Sequence, residues 1–134
     1  MTRQLRLASV AEAICSVGGY RWVGIYDVTA TQVRIIAYSG PGAPAFPVFP
    51  ADKGLTSEAI RSRATVIVGN VAADPHYLTA FGTTQSEMIV PILDAASGVV
   101  IGTIDVESEK PDAFAAEDRA RIEQLAAELA PSFR

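Results

Sequence analysis

Glu87, Asp105 and Glu107 are the residues of this chain whose types and setting promise chemistry. They stand in two apolar blocks, Ser86-Glu87-Met88-Ile89-Val90-Pro91-Ile92 and Gly102-Thr103-Ile104-Asp105-Val106-Glu107-Ser108. Each block reads as a strand, and a strand points alternate side chains to opposite faces. Glu87, Ile89 and Pro91 therefore share one face, and Met88, Val90 and Ile92 the other. In the second block Thr103, Asp105 and Glu107 share a face. An ionised carboxylate among apolar neighbours is costly unless it has a partner. Two readings follow. The three carboxylates cap strand ends or pair with arginines such as Arg34 or Arg21. Alternatively, they line a polar pocket that binds a cationic group such as an amine. Three carboxylates close together raise at least one pKa by mutual repulsion until a cation arrives. On the pocket reading, Trp22, Tyr26, Tyr77 and Phe81 supply apolar and cation–π walls.

The remaining reactive side chains point to structure. His76, the one histidine, sits in a loop beside Asp74 and Tyr77, with no further ligand close by in sequence to make a metal site. Cys15, the one cysteine, lies among Ala13, Ile14 and Val17 and reads as a buried thiol packing as a small hydrophobe. It has no partner for an internal disulfide, which suits a reducing compartment. There is no Gly-x-Ser-x-Gly elbow and no glycine-rich phosphate loop. No catalytic residue, metal or cofactor is assigned.

These residues must be positioned by a fold that 134 residues can build as one domain, 1–134. An apolar content of 49% with 19% charged residues fits a globular core. The net charge of −4 and the lack of a basic stripe argue against nucleic acid. Arg61 and Arg63 read as a solvated helix face. No apolar run approaches the ~20 residues that span a bilayer, and residues 1–7 lack the apolar core of a signal peptide. A cytoplasmic location without membrane partners is expected.

Leu5, Val10, Ile14 and Val17 have helical spacing over residues 4–17, ended by Gly18 and Gly19. Residues 20–28 and 32–38 read as a hairpin about a turn at 27–31. The proline-rich stretch 40–50 is a loop with a short edge strand near 46–49. A short helix at 56–64, a short strand at 65–68 and an irregular segment at 70–85 follow. Strands 86–93 and 98–107 form a second hairpin about 94–98. The last helix spans 115–129, with Ile122, Leu125, Ala126 and Leu129 as its apolar stripe and Pro131 as its stop. Hairpins without βαβ crossovers predict an α+β fold with a mostly antiparallel sheet of about six strands. The terminal helices cover one face. The middle segment, 40–85, covers the other and leaves a pocket there.

This order of elements resembles a GAF domain. The matching stretches are Tyr20-Arg21-Trp22-Val23-Gly24-Ile25-Tyr26, Lys53-Gly54-Leu55-Thr56, Asn70-Val71-Ala72-Ala73-Asp74-Pro75-His76-Tyr77 and the two carboxylate-bearing strands. Within that superfamily the chain is similar to the free methionine-(R)-sulfoxide reductases, in the Trp-Val-Gly-aromatic-Tyr strand, the Ser-Glu strand and the Gly-x-x-Asp-x-acidic strand. The resemblance implies that Trp22 is the pocket aromatic and that Glu87, Asp105 and Glu107 are the ligand-binding carboxylates, with Glu107 where the family usually has Asp. It also exposes a departure. Those enzymes need nucleophilic and resolving cysteines, whereas the corresponding segments here read Gly54-Leu55-Thr56-Ser57 and His76-Tyr77-Leu78-Thr79-Ala80-Phe81. Hydroxyls cannot replace thiol redox chemistry.

The expectation is a non-catalytic sensor or binding module for a cationic or amino-acid-like small molecule, signalling through a separate partner. The alternatives are a reductase-like enzyme and an assembly module whose pocket is filled by its own side chains. Small residues along the last helix (Ala116, Ala120, Ala126, Ala127, Ala130), with the habit of similar families, predict a two-fold homodimer through the terminal helices.

Overall fold

The computed structural model describes residues 2–77 and 82–133. Helix α1, Arg3–Gly18, opens on Thr2, whose hydroxyl accepts the Leu5 N–H at 3.2 Å. It closes on Gly19, held in the left-handed region at φ 66°. Strands β1 (Trp22–Val28) and β2 (Gln32–Ser39) form the first hairpin. The edge strand β3 (Val48–Pro50) pairs with β2 two residues beyond the start expected from sequence. Helix α2 (Gly54–Ser62), β4 (Val66–Val68) and a 3-10 turn at Val71–Ala73 make up the middle segment. Strands β5 (Ser86–Leu93) and β6 (Val100–Ser108) are the second hairpin, followed by α3 (Ala116–Leu129) and a 3-10 turn at Ala130–Phe133. The α3 entry is capped by the Asp118 carboxylate, which accepts the Ala115 N–H at 2.9 Å.

The six strands form one antiparallel sheet in the order β3-β2-β1-β6-β5-β4. The expected α+β architecture is therefore present. Of the two carboxylate-bearing strands, β6 is central and β5 lies beside it, one place in from the β4 edge, and both are almost wholly buried.

The strand pleat divides the core in two. Val23 and Ile25 of β1, Met88, Val90 and Ile92 of β5, and Ile104 and Val106 of β6 face α1 and α3. On the opposite face Trp22, Tyr26 and Val33 form one cluster, and Leu55 and Ala59 of α2 pack with Ile89 in another.

The face that α1 buries differs from its sequence pattern. Leu7, Ala11 and Ile14 are buried, whereas Leu5 and Val17 are 58% and 72% exposed. Apolar residues lie nearly all round this helix, so spacing alone does not select a face. The sheet selects it, with small Ala11 allowing close approach. Cys15 is half-buried rather than buried, its thiol donating to the Tyr20 carbonyl at 3.1 Å. No described helix is long and apolar enough to cross a membrane.

Candidate functional site

Register brings the three carboxylates together. In the β5–β6 ladder Glu87 lies opposite Glu107, and Ile89 opposite Asp105. In the β1–β6 ladder Trp22 lies opposite Glu107, Gly24 opposite Asp105 and Tyr26 opposite Thr103. Directly paired residues point to the same side of a sheet, so all of these share the face under α2. One carboxylate oxygen from each of Glu87, Asp105 and Glu107 lies within 4.8 Å of the others. Like charges placed directly across a ladder repel, and these three are 5%, 7% and 0% exposed. This is an energetically costly arrangement, and no basic residue relieves it among the described residues. Arg21 pairs with Glu109 at 3.6 Å instead. Glu87 and Glu107 do lie one residue from the ends of β5 and β6, but burial keeps all three carboxylates from reaching solvent there.

Protons relieve part of the cost. Burial, then the Asp105 charge, pushes Glu87 well above its ordinary range, and Glu87 shares a hydrogen bond with Asp105. Burial alone raises Asp105 to about 6, against the lowering effect of that hydrogen bond. Glu107 is pushed up to about 8 by burial and by the Asp105 charge, against the hydrogen bonds from Thr84 and Tyr77. Burial thus favours the protonated forms of Glu87 and Glu107, while Asp105, whose value stays below that of Glu107, keeps the most charge near neutrality.

The hydrogen bonds are incomplete. Thr84 donates its hydroxyl to Glu107 Oε1 at 2.7 Å, and the Tyr77 hydroxyl approaches the same oxygen at 3.5 Å. Asp105 Oδ1, Glu107 Oε2 and the Thr103 hydroxyl have no hydrogen-bond partner among the described residues. Buried polar atoms are rarely left so.

An inner cavity of about 30 Å³ reaches Glu87 and Asp105, walled by Tyr26, Phe49, Leu55, Thr56 and Ile89. That volume holds one water or one ammonium group. Phe46, Phe49 and Gly54 also line a larger outer groove of about 600 Å³, together with Lys53, Arg61, His76 and Tyr77. The expected site residues therefore divide by depth. Glu87, Asp105 and Tyr26 wall the inner cavity. Glu107 is not part of that cavity's lining and is held by Thr84, and Tyr77 stands in the outer groove. Trp22 lines neither space. It is fully buried, donates its indole N–H to the Gly42 carbonyl at 3.0 Å, and packs with Tyr26 and Tyr38 at ring separations of 6.4 and 6.2 Å. Phe81 lies outside the described residues.

Sequence reasoning missed Thr84, Phe46, Phe49 and the Gly54–Thr56 turn. The lysine–glycine signal before α2 pointed to the last of these: Gly54 adopts φ 72°, which brings the helix start against the cavity. His76 was read without a nearby ligand. In the fold Glu58 of α2 joins Asp74 beside it.

Comparison with known proteins agrees with this geometry. The GAF domain family matches residues 2–132. GAF domain-containing protein A of Dictyostelium discoideum is 28% identical over 120 residues, 89% of this chain and 73% of that protein. The free methionine-R-sulfoxide reductase of Saccharomyces cerevisiae is 30% identical over 78% of this chain, which spans only 58% of that enzyme. The structure of the type II free methionine-R-sulfoxide reductase from Thermoplasma acidophilum superposes with a TM-score of 0.91 at 29% identity, over 98% of this chain and 92% of that one.

Proposed function

This chain belongs to the GAF domain family, and from that premise we propose that it is a non-catalytic binding module for a small cationic, amino-acid-like molecule. The observation that carries this reading is the buried carboxylate cluster with Asp105 Oδ1 and Glu107 Oε2 lacking partners. An ammonium group in the inner cavity supplies the donor that Asp105 Oδ1 lacks. Its positive charge offsets the negative charge that Asp105 keeps near neutrality, and Tyr26 offers it an aromatic wall. The rest of the ligand lies in the outer groove, where Lys53 and Arg61 suit an acidic end. Phosphate-rich ligands are disfavoured, because the inner cavity repels anions.

The non-catalytic half of the proposal rests on the cysteine. Reduction of a sulfoxide by the thiol route needs a thiolate at sulfur and a second thiol to resolve the product. The sequence has one cysteine, and Cys15 packs against the helix-side core, across the sheet from the carboxylates. The proposal includes a cytoplasmic setting, a two-fold homodimer and a separate signalling protein that receives the output.

A thermal-shift screen of amines, amino acids and nucleotides tests it. An amino acid or amine at a hundred times its Kd should stabilise the fold by about 2.7 kcal/mol, and Asp105→Asn should remove that shift. A cyclic-nucleotide shift with no amine response would sink the ligand assignment. Turnover of free methionine sulfoxide with a thiol reductant would sink the non-catalytic one.

A further inference from the structure

We propose that Glu58, Asp74 and His76 form a zinc site that staples α2 to the segment leading into Tyr77. His76 Nδ1 lies 3.1 Å from Glu58 Oε1 and 3.7 Å from Asp74 Oδ1. One ligand atom from each residue falls within 4.8 Å of the other two. A zinc ion with bonds of about 2.1 Å sets its tetrahedral ligand atoms about 3.4 Å apart. The two nitrogen–oxygen separations straddle that edge.

The chemistry of the nitrogen selects between a cation and an ordinary hydrogen bond. Nδ1 carries at most one proton and serves one acceptor well. Here two carboxylates from separate elements converge on it, and one ion bound between them serves all three. A neutral imidazole and two carboxylates also balance the charge of a divalent ion, with water completing the fourth position. Imidazole with carboxylates suits zinc over magnesium or calcium. The scaffold is partly set in advance: Asp74 Oδ1 accepts the His76 backbone N–H at 2.8 Å, which fixes the Asp-x-His turn, and Glu58 projects from a helical turn. His76 is 61% exposed, so an ion enters without unfolding anything.

The consequence reaches the outer groove. Pro75, His76 and Tyr77 form one wall of it and Ser57 and Arg61 of α2 another. Zinc would fix these two walls relative to each other.

Titration calorimetry of zinc chloride into the chelator-treated full chain tests this. We expect one site per chain, lost in His76→Ala and weakened at least tenfold in Glu58→Gln, with Glu107→Gln unchanged. Because His76 is exposed, the His76→Ala protein should keep the wild-type circular dichroism and melting temperature in the absence of zinc. Zinc should raise the melting temperature of the wild type and leave that of His76→Ala where it was. Absence of binding overturns the proposal. So does binding that survives His76→Ala, or binding lost in Glu107→Gln, which would move the ion to the buried cluster.

Discussion

Glu107 sits between two demands. Thr84 supplies one of its oxygens with a donor, while the other is buried without a partner. Burial raises its pKa from 4.5 to about 8, and that of Asp105 from 3.8 to about 6. A carboxyl group with a raised folded-state pKa holds a proton that the unfolded chain releases. Its contribution to stability is then complete below the unfolded value and falls as pH climbs through the folded one. For these two groups the window is about pH 4 to 8. Asp118 and Glu123 are shifted the other way, and their effect lies below that window. Denaturant midpoints in the absence of ligand should therefore fall between pH 5 and pH 8, and Glu107→Gln should flatten the slope. A midpoint that rises over this interval would contradict the burial of protonated carboxyl groups. Bound amine should reverse part of the loss, because it favours the ionised cluster.

The elements around the cluster owe their spacing to residues without side chains. A methyl group at Gly102 would come within 2.8 Å of the Tyr26 carbonyl and 2.4 Å of the Phe133 ring. The backbone cannot yield cheaply at the sheet centre, so Gly102→Ala should cost about 1–3 kcal/mol or more in denaturation experiments. Helix α1 gives a sharper test of which face is buried. Ile14→Ala should cost about 2–5 kcal/mol. Leu5→Ala and Val17→Ala should each stay within about 0.5 kcal/mol at sub-micromolar protein, where chains are separate. The sheet was legible in the sequence because short apolar runs at 86–93 and 98–107, bounded by turn residues, read as paired strands, and the carboxylates within them mark one face. The face of α1 was not, because Leu5, Ala8, Ala13 and Cys15 continue the apolar surface round the helix from the arc that holds Leu7, Val10, Ala11, Ile14 and Val17, and tertiary contact decides among them. Glu87, Asp105 and Glu107 were legible as a set because they interrupt apolar strands. Trp22 was visible as an aromatic on that face, but its depth behind Tyr26 depends on packing that no spacing encodes. Glu58 was invisible as a neighbour of His76, since only the approach of α2 to the following segment joins them.

At the scale of the whole molecule the two sheet faces are unequally finished. The pocket face is covered by α2 and by the segments on either side of it, apart from the outer groove. The helix layer still presents Leu5 and Val17 to solvent. Beside Val17, a groove of about 370 Å³ runs between the terminal helices, lined by Val10, Ala13, Ile14 and Leu125. Arg121, Gln124 and Glu128 belong to the same groove. A two-fold axis places a surface against its own copy. This groove suits that operation, since it offers apolar bulk together with charges of both signs. In such a dimer Val17 would pack against the apolar part of this groove on the second copy. Sedimentation at tens of micromolar should therefore give a species of twice the chain mass. Val17→Asp should return it to a single chain without loss of the fold, because Val17 is 72% exposed within one copy. A wild-type protein that stays at one chain mass under those conditions removes the dimer. A dimer that survives Val17→Asp removes this interface, and assembly would then have to use a sheet edge or the pocket face.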